Sequence, residues 1–131
     1  MMETLDPVLA HYGDEILREP HPPQDLVMLV AMWHYARGLA FNAQRELDEA
    51  ERELAKIEVI AESEALRQMQ STVFAPGITG VGLVAVASTI LRAEIEASKG
   101  NLDEAIRIMT LAVQRQEELG YIYILWSALR T

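Results

Sequence analysis

Apolar side chains recur at helical spacing in four stretches of the chain. Between residues 25 and 44 they occupy most sides of the helix that they predict, and only a thin strip including His34 and Arg37 is polar. A helix that is apolar on most sides is buried between neighbouring elements. The pattern therefore predicts a buried helix in the first third of the chain.

The next helix, predicted over residues 47–61, is apolar on one side only. Its apolar stripe comprises Leu47, Ala50, Leu54, Ile57 and Ala61. The opposite side is charged and includes Glu53 and Lys56. We expect this charged side, Glu53 included, to face solvent, as in other amphipathic surface helices.

Helical periodicity resumes in the second half of the chain. A helix is predicted over residues 83–98, followed by Gly100 in the left-handed conformation that commonly ends a helix. A further amphipathic helix is predicted over residues 102–119, and Gly120 can stop it. Its expected buried stripe consists of Ala105, Ile106, Met109, Ala112 and Val113.

Three segments interrupt this pattern. The proline-rich residues 19–23 cannot continue a helix, so they end a short N-terminal helix predicted over residues 7–18. Residues 62–80 are expected to form an irregular linker, with two helical turns possible over residues 64–70. The apolar tail, residues 121–131, could be strand or helix by propensity. Helix is favoured, because the chain offers no second strand.

An internal repeat organises these elements. The sequence Leu-Asp-Glu-Ala occurs twice, starting at Leu47 and at Leu102. The number of positions from the first start to the second is called the repeat spacing. Each copy starts the second helix of a pair, directly after a long helix and a tight turn. We interpret residues 1–131 as a single all-α domain with helical pairs at residues 25–61 and 82–119.

At these residues the sequence resembles the tetratricopeptide repeat family, and it is most similar to degenerate repeats of large bacterial proteins. The family pattern has a small residue where the paired helices cross, an aromatic residue after it, a glycine in the turn, and a large apolar residue and an alanine on the second helix. The matching positions are Gly38, Phe41, Leu47, Ala50 and Leu54 in the first unit, and Ala93, Gly100, Leu102, Ala105 and Met109 in the second. The resemblance covers about half of the chain and implies stacked antiparallel helical hairpins.

The two units depart from the family pattern in several places. The repeat spacing, from Leu47 to Leu102, is longer than the roughly 34 residues of the family. Arg45 takes the turn position that Gly100 fills in the second unit, and Glu96 stands where an aromatic residue is expected. Two helical pairs side by side are therefore predicted, without a regular superhelix.

Composition narrows the function classes. The chain has 11 basic and 20 acidic residues, a net charge of −9, and no cysteine. An excess of acid without a basic cluster argues against binding nucleic acid or anionic membranes. The missing cysteine excludes disulfide scaffolds and cysteine nucleophiles. No apolar run approaches the roughly 20 residues of a membrane span, and no signal-peptide pattern is present, so a cytoplasmic location is expected.

These observations lead to the expectation of a non-enzymatic module for protein–protein interaction or self-association, with no catalytic residue, metal or cofactor. Unpaired apolar surface favours a homodimer that forms through the first helices of the pairs and the tail. The candidate interaction residues are Met32, Tyr35, Leu39, Ile90, Tyr121, Tyr123 and Trp126.

Two alternatives stay open at this point. The chain could be a small helical enzyme that binds a ligand or metal near His34, Arg37 and the loop at residues 72–80. It could also be a fragment of a longer repeat scaffold, because the sequence ends without a polar capping helix.

Overall fold

A computed structural model of the chain describes residues 13–68 and 80–119, with the backbone alone for residues 115–119. All regular structure in these residues is α-helix, which confirms the all-α prediction. The helices are α1 (described over residues 13–18), α2 (Val27–Ala43), α3 (Leu47–Ala61), α4 (Glu64–Gln68), α5 (Gly80–Ser98) and α6 (Leu102–Leu119). Among them, none has the length and apolarity needed to cross a membrane.

The observed bounds follow the sequence pattern closely. Helices α3 and α6 begin and end where the periodicity predicts, and α1 ends at residue 18, directly before the proline-rich segment. Helix α5 begins at Gly80, earlier than the predicted residue 83, and α4 forms within the predicted linker. The start of the N-terminal helix and the tail at residues 121–131 lie outside the described residues.

The helices of each pair are joined by turns with the same backbone conformation. Arg45 and Gly100 occupy the middle of their turns, with φ angles of 66° and 90°. The left-handed conformation predicted for Gly100 is confirmed. Arg45 adopts the same conformation, although a Cβ atom makes it unfavourable for residues other than glycine.

The hydrogen bonds of the two turns also match. The N–H of Glu46 donates to the carbonyl of Phe41 (2.8 Å), and at the equivalent positions of the second pair the N–H of Asn101 donates to the carbonyl of Glu96 (3.0 Å). A bond of this span around a left-handed position defines the Schellman ending of a helix. The sequence repeat is therefore also a repeat of backbone structure.

The core lies where the first helices of the two pairs meet. Helix α5 packs against α2, α3 and α6, and α2 packs against α3. The largest fully buried side chains include Ile57, Leu66, Leu91 and Ile95. Burial of residues from α3, α4 and α5 in one cluster makes the described helices a single packed body.

Gly38 marks a close approach of α2 and α5, which are not the pair that the family pattern implies. A Cβ built on Gly38 would overlap the Leu91 side chain of α5, 3.1 Å from Cδ1 and nearer still to Cδ2. The three heavy atoms nearest to that Cβ all belong to Leu91, and none to α3. The missing side chain of Gly38 thus brings the two pairs together, where the pattern places it at the crossing within one pair.

The buried stripe of α6 differs from the predicted one. Ala105, Ile108 and Ala112 are buried, whereas Ile106 is 65% exposed and Val113 is 38% exposed. The prediction that Ile106 and Val113 are buried is wrong. Helix α5 packs against α6 on one side, and the apolar surface of α6 is wider than the area that a single neighbouring helix covers.

Candidate functional site

The outer side of α6 carries a continuous row of apolar side chains, called here the α6 stripe: Leu102, Ile106, Met109 and Val113. Leu102 is 61% exposed, Ile106 and Val113 are exposed, and Met109 is half-buried at the edge of the core. A single exposed apolar residue is ordinary, but a row of them on one helix indicates a surface that contacts another molecule or segment.

The internal repeat shows what this side of a second helix does in the first pair. When the two copies of the repeat are aligned, the residues of α3 that take the positions of the α6 stripe are Leu47, Glu51, Leu54 and Glu58. Glu58 pairs with Arg92 of α5 at 2.8 Å, and Glu51 pairs with Lys99, the first residue after α5. The α6 stripe therefore corresponds to the side of α3 on which helix α5 docks.

Two charged side chains of α6, Glu104 and Arg107, pair with each other. The guanidinium of Arg107 donates to both carboxylate oxygens of Glu104, at 3.0 Å and 2.6 Å. These hydrogen bonds lower the pKa of Glu104 and raise the pKa of Arg107. Next to the stripe, the hydroxyl of Thr110 donates to the carbonyl of Ile106 (2.8 Å). Glu104, Arg107 and Thr110 thus have hydrogen-bond partners within α6.

A second unusual feature is a largely buried group of polar side chains between α2 and α3, called here the polar cluster: His34, Arg37 and Glu53. One oxygen of Glu53, Oε1, lies 3.0 Å from His34 Nδ1 and 3.1 Å from Arg37 Nε. Glu53 is 3% exposed and His34 is 6% exposed. The prediction that Glu53 faces solvent is wrong, because the polar strip of α2 approaches α3 at this point and supplies its partners.

The polar cluster also holds the segment that precedes α2. Arg37 Nη1 donates to the carbonyl of Leu17 in α1 (3.3 Å), and Trp33 Nε1 donates to the carbonyl of Glu19 (3.2 Å). The guanidinium of Arg37 lies 4.6 Å from the Trp33 ring centroid and 5.3 Å from that of Phe41. Both distances are within cation–π range, so Phe41, a position of the repeat motif, helps to place Arg37.

The chemistry of the polar cluster is that of a satisfied packing group. Histidine next to a carboxylate can serve as a general base when it can reach a substrate, but His34 is nearly covered and bonded to Glu53. In the described part of the chain, no group of three or more histidine or acidic side chains is arranged to hold a metal ion. Of the proposed enzyme site, His34 and Arg37 lie in this cluster, and residues 72–79 lie outside the described ranges.

The residues singled out by the repeat pattern are placed as follows. Buried in the core are Gly38, Ala50, Leu54, Ala93 and Ala105; half-buried are Phe41, Leu47 and Met109. Gly100 lies in its turn, and Leu102 is exposed, which departs from the filling role that the motif implies for it.

The residues expected to form an interaction surface are placed differently. Met32, Tyr35 and Leu39 of α2 are half-buried and pack against the core. Ile90 is buried, so it is not a surface residue. The positions Tyr121, Tyr123 and Trp126 lie outside the described residues. In the described part of the chain, half of the exposed large apolar residues lie on α6, and two of these, Ile106 and Val113, are residues that periodicity assigns to the core.

One signal in the sequence points to this surface. Aligning the two copies of the repeat places Ile106 opposite Glu51 and Val113 opposite Glu58. Both differences replace a carboxylate by a branched apolar side chain, on a helix that also has other apolar residues to pack on α5.

The chain matches no protein-family model, no curated protein and no solved structure.

Proposed function

We propose that this chain is a non-enzymatic helical-repeat module, stacked in the manner of tetratricopeptide repeats, that binds a protein helix through the α6 stripe. The observation that carries the proposal is the correspondence between the stripe and the side of α3 that accepts α5. The chain carries this docking surface twice, and the second copy is exposed.

The chemistry of the α6 stripe supports a helix as its ligand. In the first pair, two ion pairs join α3 to α5 and to the residue after it, Glu58 with Arg92 and Glu51 with Lys99. Leu54, which lies between Glu51 and Glu58 along α3, is buried. In the stripe the border positions are Ile106 and Val113. The α6 stripe is therefore apolar at its border as well as at its centre. An amphipathic helix recognises such a surface by placing its own apolar side on it.

Hydrophobic burial is large enough to matter. Covering an exposed leucine, isoleucine or valine side chain contributes about 1.5–3 kcal/mol when it is complete. Three such residues can therefore supply several kilocalories per mole. They form the central part of an interface rather than all of it, because stable interfaces bury about 800 Å² on each partner.

A crosslinking experiment tests the proposal. Ile106 is replaced by the photoreactive residue p-benzoylphenylalanine in the full chain. The variant is expressed in the cells that naturally produce the protein, and these cells are irradiated. We expect a covalent adduct whose crosslinked peptide, identified by mass spectrometry, belongs to an apolar row of a helix. The matched control is the same replacement at Val59, an apolar residue of α3 that is 72% exposed and outside the stripe. Equal yields at the two positions, or no adduct at position 106, would contradict the proposal.

A further inference from the structure

We infer that the occupant of the α6 stripe is a second copy of this chain, bound α6 against α6 about a two-fold axis. This inference rests on the proposed function and names its partner.

The spacing of the α6 stripe fits pairing with an identical helix. Its residues follow one another at intervals of four, three and four positions, from Leu102 to Val113. This is the alternation of a coiled-coil seam, in which apolar residues of one helix insert between those of another. In an antiparallel pair, Leu102 faces Val113 of the partner subunit and Ile106 faces the partner subunit's Met109. Each contact then occurs twice, as two-fold symmetry requires.

The charges around the stripe point to the same partner. Where the corresponding side of α3 carries Glu51 and Glu58, the docked helix supplies Lys99 and Arg92. At the stripe these carboxylates are absent, so the docked helix needs apolar side chains at the matching positions. A second α6 supplies them. Two of its charged side chains, Glu104 and Arg107, form an ion pair within the helix.

The other end of the stack is closed by α1, and this decides the symmetry. Arg37 and Gln44 of the α2 segment contact α1, through the carbonyl of Leu17 and the carboxylate of Asp14 (2.8 Å). Their equivalents in the second copy of the repeat, Arg92 of α5 and Lys99 directly after it, form ion pairs with Glu58 and Glu51 of α3. Helix α1 thus covers on α2 the side that α3 covers on α5.

Because that side is covered, a second copy cannot place its α2 on the α6 stripe and extend the stack without limit. Head-to-tail contacts of that kind generate filaments, whereas a contact between identical surfaces closes after two copies. The uncovered α6 stripe therefore leads to a closed dimer.

Sedimentation velocity of the full chain tests the inference. At a concentration of about 100 µM, in the range where weak dimers form, we expect a species with twice the 14.7 kDa mass of the chain. Ile106→Glu restores the residue type that α3 has at this position and should raise the dimer dissociation constant at least tenfold. Val59→Glu is the matched control and should leave the constant unchanged.

Two further measurements keep the outcome interpretable. If circular dichroism shows that Ile106→Glu has lost helix, Ile106→Ser replaces it as the uncharged disrupting variant. The double variant with Ile106→Glu and Met109→Lys places opposite charges across the proposed antiparallel contact and should recover part of the affinity. Added salt should strengthen the wild-type dimer, because each copy carries a net charge of −9 and the contact itself is apolar.

The result that overturns the inference is a wild-type chain that is monomeric at this concentration, or a dimer that Ile106→Glu and Ile106→Ser leave intact. Failure of the proposed function is distinguishable from this result. An adduct at position 106 with a different protein would overturn the dimer and leave helix binding by the stripe in place, whereas no adduct at all would overturn both.

Discussion

The two helix pairs have the same backbone turn, yet they fill the space between their helices differently. The polar cluster of the first pair, His34, Arg37 and Glu53, corresponds to Thr89, Arg92 and Ile108 in the second. Ile108 is buried, and the hydroxyl of Thr89 donates to the carbonyl of Ala85 in its own helix (2.7 Å). The second pair thus holds together without a buried charge at this place.

A helix pair of this kind can therefore form without a polar cluster between its helices. Buried ion pairs often contribute little net stability, because the cost of removing charges from water offsets their attraction. What the cluster adds is a set of hydrogen bonds to α1 and the segment after it, through Arg37 and its neighbour Trp33. The first pair uses its polar groups to close one end of the stack, and the second pair leaves the α6 stripe open at the other end.

The largest expected effect comes from breaking the polar cluster on one side only. Glu53→Ile leaves His34 and Arg37 without their carboxylate, and should lower the free energy of unfolding by about 3 kcal/mol. Adding His34→Thr to Glu53→Ile copies the second pair and should recover most of this loss. Urea unfolding followed by circular dichroism measures both variants. A double variant as unstable as the single one would show that the polar cluster is needed for packing.

A smaller effect is expected at the helix crossing. Gly38→Ala, which copies Ala93 of the second pair, forces the buried Leu91 side chain to move and should cost about 1–2 kcal/mol net. The reverse change, Ala93→Gly, removes a good helix former and should cost about 1 kcal/mol. Thermal unfolding of both variants measures the asymmetry. A stabilising Gly38→Ala would contradict the close approach of α2 and α5.

The turns offer an exchange with opposite signs. Gly100→Ala places a Cβ on a residue with a φ angle of 90° and should cost about 1 kcal/mol. Arg45→Gly relieves the same conformation at a φ angle of 66°, but it loses the hydrogen bond from Arg45 to the carbonyl of Ser98 (3.3 Å). We expect a gain of about 0.5 kcal/mol. Chemical denaturation resolves the two signs, and a destabilised Arg45→Gly would show that the hydrogen bond outweighs the strain.

The smallest effect concerns the exposed pair of Glu104 and Arg107 on α6, which repeats the exposed pair of Glu49 and Arg52 on α3. Since pairing lowers the pKa of Glu104, its stabilising contribution is present at neutral pH and is lost as the pH falls through that lowered value. The melting temperatures of wild type and Glu104→Gln should therefore differ slightly at pH 7 and converge once the pH has fallen below the lowered pKa of Glu104. A difference that persists at low pH would assign it to helix propensity.

Much of the fold is accessible from the sequence. The periodicity of apolar residues locates α3 and α6 at both ends, the proline-rich segment locates the end of α1, and Gly100 identifies a left-handed turn. These features depend on interactions within a few residues, which are the ones that a local pattern records.

The candidate site is less accessible. Periodicity shows which residues of α6 share a side, but not how much of that side a neighbouring helix covers, so it places Ile106 in the core although Ile106 is exposed. The tetratricopeptide resemblance points to the first helices of the pairs and to residues such as Ile90, which the packing of the helices has already buried.

The positions of the helices, their pairing and the internal repeat can be read from the sequence, since these depend on local hydrogen bonding and on the spacing of apolar side chains. The burial of Glu53, the contact of Gly38 with Leu91 and the exposure of the α6 stripe are visible only in the tertiary structure. The physical reason is that the burial of a residue depends on which helices from elsewhere in the chain pack against it. The periodicity of a single helix does not specify those neighbours.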